Sequence, residues 1–203
     1  MGTLRASTRP IPSERDQVGR VEPAVGMQRA LVERAMRGDH EAFGDLVRAS
    51  TDRLYATASL ILRDADRGQD AVQEALVAAW RDVRGLRDPD AWDAWLYRLV
   101  VRACYRVAKG DRRRQVVELS VAPAGEPTVA DPTAASADRD HLSRALATLP
   151  LDQRAVLVAH FYLGLPINHT AAVLGIPTGT CKSRLARGLD ALRATVASME
   201  PSA

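Results

Sequence analysis

Of the eleven prolines in this chain, only Pro89 lies between Ala24 and Ala122. Proline removes a backbone donor and clashes with the preceding turn, so a stretch this long and nearly free of it can be helical almost throughout. The apolar residues follow suit. Met27 to Met36 predicts a helix that stops at Gly38. Asp39 can cap a second helix over His40–Leu62, where Phe43, Leu46, Val47, Leu54, Ala58 and Ile61 recur at helical spacing. Asp64 and Asp66 mark a break and a restart, after which Val72, Ala75, Leu76, Ala79 and Trp80 form one apolar stripe. Gly85 and Pro89 define a loop. A fourth helix is predicted over about Asp90–Lys109, with Trp92, Trp95, Leu96, Leu99, Val100 and Ala103 on its inner side. Aromatic residues make up only 4%, while Ala, Leu, Val and Arg dominate, which suits helices rather than sheets.

The other prolines punctuate. Pro10, Pro12 and Pro23 fall in an aperiodic tail over 1–23. Pro123, Pro127 and Pro132 fall among Ala, Gly, Thr and Ser in a linker placed at 111–137. Pro150, Pro166 and Pro177 each sit at or beside a helix start, where a missing N–H costs little. The expected organisation is all-α: a helical domain over 24–110, a flexible linker, and a second helical domain over 138–199. The second domain is expected to hold helices at about Asp138–Leu149, Leu151–Leu163, Ile167–Leu174 and Thr178–Met199. A linker of this composition lets the two domains move independently.

A net charge of +3 and a pI near 9.2 are mildly basic and weakly favour a polyanionic partner. Cys104 and Cys181 lack the spacing of a disulfide framework or zinc site and read as small helix-packing residues. His40, His141, His160 and His169 are scattered, and no acidic cluster has metal-ligand spacing, so neither catalytic residues nor a metal or cofactor are expected. No apolar run approaches a membrane span, and the N-terminus lacks the apolar core of a secretory signal, so the expected location is the cytoplasm.

The strongest functional pattern runs from Ile167 to Leu192. A short helix ends at Leu174, Gly175-Ile176-Pro177 turns the chain, and a longer helix begins at Thr178. This is the pattern of a helix-turn-helix, whose second helix enters the DNA major groove. Thr178, Thr180, Lys182, Ser183, Arg184 and Arg187 are the candidate DNA contacts, and Leu185, Leu189 and Leu192 the buried side. A solvated basic face is the competing reading. On the fourth helix, Tyr97 and Tyr105 interleave with Arg98, Arg102 and Arg106, followed by Lys109. Rings that stack and cations that track phosphates suit single-stranded DNA. The tryptophans Trp80, Trp92 and Trp95 read better as core, and the arginines as the contacts. On the third helix, Asp70, Gln73, Glu74 and Val77 share the face opposite the apolar stripe, as either a partner surface or a plain polar exterior.

These residues carry a resemblance. The opening helices Leu31–Phe43, the stretch Asp70-Ala71-Val72-Gln73-Glu74-Ala75-Leu76, the stretch Trp95-Leu96-Tyr97-Arg98-Leu99, and the segments Leu149–Arg154 and Gly179–Leu185 occur in the order seen in extracytoplasmic-function sigma factors of bacterial RNA polymerase. The likeness covers about residues 27–198. It implies two helical domains, sigma region 2 and sigma region 4, with core RNA polymerase and promoter DNA as partners and, for many members, an anti-sigma factor. It further implies that Asp70, Gln73 and Glu74 bind polymerase. Arg84, Arg98, Arg102, Tyr105, Arg106 and Lys109 would serve the minus-ten element, with a pocket for extruded bases in the loop Arg84–Asp90. The helix-turn-helix would read the minus-thirty-five element. Thr170 departs from the family pattern, standing where an apolar residue is usual, and Cys181 stands in place of Val. The alternative is a dimeric helix-turn-helix regulator with an N-terminal interaction domain.

Overall fold

The structure, a computed structural model, describes residues 26–118 and 145–199. The tail 1–23, the linker beyond Glu118 and most of the helix expected from Asp138 lie outside the described residues.

Helix α1 spans 26–36. Helix α2, His40–Leu62, begins at Asp39, whose carboxylate accepts from the backbone N–H groups of Glu41 and Ala42. Those two bonds satisfy donors that the helix start leaves unpaired, and together with the Arg34 guanidinium they hold the Asp39 carboxyl below its usual range. Arg63 closes α2 in the left-handed region at φ 62°, and Asp64 immediately caps α3, Ala65–Asp82. Two single turns of 3₁₀ helix, Val83–Gly85 and Pro89–Ala91, fill the loop before α4, Trp92–Glu118. The stripe read from the sequence is the inner face: Leu54, Ile61, Val72, Ala75, Trp92, Leu96 and Val100 are buried in one core. Trp92 is that core's largest fully buried side chain, with Phe43 set perpendicular to it and Trp95 tilted against it.

Helix α4 departs from the sequence reading at both ends. Its start is a 3₁₀ turn rather than α-helix, and its end lies at Glu118 rather than Lys109. The segment expected to open the linker at 111 is therefore helical as far as 118. Gly110 is a weak breaker and no proline occurs before Pro123, so the helix runs on.

The second half continues from a helical turn at 145–147. Helix α5, Leu151–Leu157, widens into a π-helix over Val158–Tyr162 where uniform α-helix was expected. Helix α6, Ile167–Leu174, and α7, Thr178–Met199, match the expected spans. Thr170 is buried, and its hydroxyl donates to the Leu165 carbonyl, which is how this half accommodates a polar residue at an apolar position. Cys104 and Cys181 are buried and free, and burial pushes the Cys104 thiol up to about 12.

The two halves are not separate bodies in this structure. Ala155, Val158, Ala159, Leu163 and Val173 join the same apolar core as Leu54, Ile61, Val101 and Cys104. Arg154, only 7% exposed, donates from Nε to the Ile61 carbonyl near the end of α2, and from Nη1 to the carbonyls of Leu146 and Leu149. Arg53 adds a bond to the Leu163 carbonyl at 2.9 Å. The independent motion inferred from linker composition meets a packed interface, because composition says nothing about complementary faces far apart in sequence.

Gly68 offers a test of the α2–α3 packing. A Cβ there would lie 2.7 Å from Ser59 Oγ and 2.9 Å from the Ser59 backbone nitrogen, so one helix must shift. At Gly110, also helical, nothing lies within 4 Å. Gly68→Ala is expected to destabilise by about 1–2 kcal/mol, the cost of overpacking exceeding the gain in helix propensity. Gly110→Ala is expected to be neutral or stabilising. Thermal melts of the two variants check the contrast.

Candidate nucleic-acid interface

Three surfaces hold the residues that the sequence reading assigns to nucleic acid or its machinery. The first is α7. Helix α6 ends at Gly175, which takes φ 67° and ψ 34°, and the Ile176 N–H bonds back to the Ala171 carbonyl at 3.0 Å. A non-glycine residue in this left-handed conformation costs about 1–2 kcal/mol, and the turn it makes aims α7 across α6. Leu185, Leu189 and Leu192 then pack on Leu146, Leu149 and Leu157. Lys182, Ser183 and Arg187 are left exposed, while Thr178 and Thr180 are half-buried at the helix start. Arg187 is steadied by a bond from Nε to the Ser183 carbonyl. Arg184 differs from its neighbours. Its side chain is 23% exposed, and Nη2 lies 2.8 Å from the Asp152 carboxylate.

The second surface lies on α4. Arg98, Arg102 and Arg106 recur every four residues, and Tyr105 and Lys109 fall on the same side at helical spacing. Arg102, Arg106 and Lys109 are exposed; Arg98 and Tyr105 are half-buried. The Tyr105 hydroxyl is pushed upward by burial, then by the charge of Asp152 and a hydrogen bond to it. Asp152 belongs to the other half of the molecule and lines the same groove as Tyr105. Arg84, on the 3₁₀ turn after α3, lies apart from this row. Its guanidinium covers Gly38, and a Cβ there would come within 2.7 Å of it. The loop Arg84–Asp90 is held by an ion pair between Arg29 of α1 and Asp90.

The third surface is the outer side of α3. Asp70, Gln73, Glu74 and Val77 are exposed opposite buried Val72 and Ala75. Val77 is 70% exposed, unusual for a large aliphatic. Glu74 is paired with Arg106 at 2.9 Å, so the acidic face of α3 and the basic face of α4 meet along one edge. Both partners are well exposed, and such a pair contributes at most about 1 kcal/mol.

The structure thus brings together the residues expected on α7, those on α3, and all of the α4 set except Arg84. Two residues carry contacts that the sequence reading assigned to nothing, Asp152 and Arg154. They lie in the segment Leu149–Arg154, whose pattern was visible, but their partners, Arg184 on α7 and the Ile61 carbonyl on α2, are too distant in sequence for spacing to reveal. Among the described residues, no group of three or more His, Cys, Asp or Glu could hold a metal, and no helix is long and apolar enough to cross a membrane.

A fold that is helical among the described residues, with a helix-turn-helix in one half and a basic, tyrosine-bearing helix in the other, has the form of a two-part DNA-binding protein. The family models agree. Sigma-70 region 2 matches residues 46–114, and Sigma-70 region 4 matches residues 139–192. The chain is 38% identical over 151 residues to the ECF RNA polymerase sigma factor SigM of Mycobacterium tuberculosis, covering 74% of each chain. It is 31% identical over 175 residues to the ECF RNA polymerase sigma-E factor of Escherichia coli, covering 80% of this chain and 90% of that one. A solved structure of CnrH in complex with the cytosolic domain of CnrY superposes with a TM-score of 0.64 at 25% identity, over 86% of this chain and 99% of the other. The chain belongs to the extracytoplasmic-function sigma factors, and its function is to direct RNA polymerase to promoters in transcription initiation.

Gly175→Ala is expected to lower stability by about 1–2 kcal/mol through φ alone, since nothing lies within 4 Å of the added methyl. Gly175→Asn, which tolerates this region better, should recover part of the loss. Urea unfolding followed by circular dichroism checks the order.

Proposed function

We propose the following division of labour. α7 reads the upstream promoter element as duplex, with Thr178, Thr180, Lys182, Ser183, Arg184 and Arg187 facing the major groove. The α4 row of Arg98, Arg102, Tyr105, Arg106 and Lys109, together with Arg84, serves the minus-ten element. Asp70, Gln73 and Glu74, flanking exposed Val77, dock on core polymerase. The observation that carries this reading is the pairing of two basic helical faces, one in each matched sigma region. Phosphate contacts supply affinity and register, and side chains at the start of α7 supply base discrimination. Opening the duplex costs unstacking energy, which binding of single-stranded bases to the first region offsets.

The working boundaries are region 2 over 24–110, a linker over 111–137 whose first part continues α4 to Glu118, and region 4 over 138–199, with the 1–23 tail outside both. The partners are core RNA polymerase and promoter DNA. Solved relatives are described in complex with the cytosolic domain of CnrY and with the anti-sigma factor NepR from Bartonella quintana, and an anti-sigma factor is the corresponding third partner here. The chain supplies no catalytic residues of its own, and it works in the cytoplasm, where the bacterial chromosome is.

Run-off transcription with core polymerase on a promoter library tests the reading. Arg184→Ala is expected to lose about 1–3 kcal/mol of discrimination at the upstream element with core binding intact. Unchanged sequence preference would leave Arg184 a phosphate role only. Charge reversal at Asp70 and Glu74 is expected to weaken core binding at least tenfold while costing stability only about 1 kcal/mol, the scale of the lost Glu74–Arg106 pair. Normal core affinity would reject the α3 assignment, and a matching loss of stability would make that face structural.

A further inference from the structure

We infer that Asp152 is a positioning residue for base reading: its carboxylate holds the Arg184 guanidinium in one direction, so that the remaining donors of that fork address a guanine edge in the upstream element. This rests on the reading of α7 as the helix that enters the major groove, and deepens it.

Asp152 stands on a fixed turn. It lies in the first turn of α5, after Pro150, whose carbonyl accepts from the backbone N–H groups of Gln153 at 3.1 Å and Arg154 at 3.0 Å. Two residues on, Arg154 is buried and bound to the carbonyls of Ile61, Leu146 and Leu149. The helix that carries Arg184 is held as closely. Leu185 and Leu189 pack on the cluster of Leu146, Leu149 and Leu157. At Gly188, one turn after Arg184, α7 comes so near α5 that a Cβ would lie 3.0 Å from Leu157 Cδ1 and 3.4 Å from Gln153 Cβ. Between these two supports the Asp152 carboxylate takes Arg184 Nη2 at 2.8 Å. Apart from the Ile61 carbonyl, every one of these contacts lies within the second half.

The pair singles out Arg184. Its side chain is 23% exposed, whereas Lys182, Ser183 and Arg187 on the same helix are exposed. A free arginine spreads over many rotamers and loses that freedom on meeting a base. One held by a carboxylate has lost it already, and its planar fork keeps further donors to offer. Guanine is the base that fits, because its major-groove edge presents O6 and N7 together, the acceptor pair that an arginine fork matches. The carboxylate has an opposing effect as well. Asp152 is half-exposed, and its negative charge repels a phosphate backbone brought against α7. Asp152 therefore lowers general affinity and raises discrimination, a combination that a plain strut between α5 and α7 would not show.

The test uses the full-length chain assembled with core polymerase. Each guanine of the upstream element is replaced in turn by the deaza analogue that lacks the N7 acceptor and still pairs with cytosine. The readout is the ratio of binding to unmodified and modified promoters, with a thermal melt of each variant. In the unaltered chain one replacement is expected to weaken binding about fivefold. Arg184→Ala is expected to abolish that sensitivity. Asp152→Asn is expected to reduce it to about twofold while binding to the modified promoter stays equal or tightens. Asp152→Glu, which keeps the carboxylate, should recover part of it, and in an Arg184→Ala background Asp152→Asn should add nothing. Asp190→Asn removes a carboxylate of α7 that pairs with Arg193 instead, and is expected to leave the ratio unchanged. Full sensitivity in Asp152→Asn overturns the positioning. Equal losses on both promoters, with a lower melting temperature, overturn it too and make the pair a strut. Sensitivity that survives Arg184→Ala at every guanine overturns base reading by Arg184, and the positioning with it. Run-off transcription by the unaltered chain reports the family function separately.

Discussion

The arrangement of this molecule depends on one buried guanidinium. Arg154 is a cation in a place where cations are costly, and burial, aided by the nearby Arg63 and Arg67, lowers its pKa to about 10. At neutral pH it stays charged, so the surrounding structure must solvate it. Three backbone carbonyls do this, and two of them, at Leu146 and Leu149, lie before α5 in its own half. The third, at Ile61, lies at the C-terminal end of α2, where the helix dipole favours a positive charge. If the halves part, Arg154 regains water, as does the Ile61 carbonyl. The contact thus positions the halves and is still exchangeable for solvent.

Around that pin, α4 does double duty. Its inner face completes the first core through Trp92, Leu96 and Val100, while Val101 and Cys104 belong to the apolar cluster that also takes in Val173 of α6. Its polar face carries Arg98, Arg102, Tyr105, Arg106 and Lys109, and one of these is already engaged, Arg106 by Glu74. In α7 the same holds for Arg184. Surfaces suited to phosphate are partly occupied by the protein's own carboxylates in the free chain. The exposed contact at Arg106 is weak in water, and a polyanion that releases counterions on binding can replace it.

Much of this was legible in the sequence. The helical period of Phe43, Leu46, Leu54, Ala58 and Ile61 placed α2, and Asp39 and Gly175 marked a start and a stop by capping chemistry that acts within a few residues. The exposed basic face of α7 could be picked out because charge and apolar residues segregate on one helix. What was not legible has a common cause. The packing of Ile61 on Arg154 and of Arg184 on Asp152 joins residues far apart in the chain, and no local pattern encodes it. The extension of α4 past Lys109 was missed because Gly110 and the polar residues after it read as linker composition, though nothing there forbids helix. The π-helix at Val158–Tyr162 leaves Phe161 60% exposed, a local widening that an apolar count cannot foresee.

The central claim is that α4 and α7 contact different promoter elements within the polymerase-bound protein. Site-specific photocrosslinking measures it directly, with a photoreactive residue placed at Arg102 in one preparation and at Ser183 in another, each assembled with core polymerase on an end-labelled promoter. Crosslinks are expected near the minus-ten element from position 102 and near the minus-thirty-five element from position 183. Crosslinks from both positions to the same element, or from neither in a complex that initiates transcription, would contradict it.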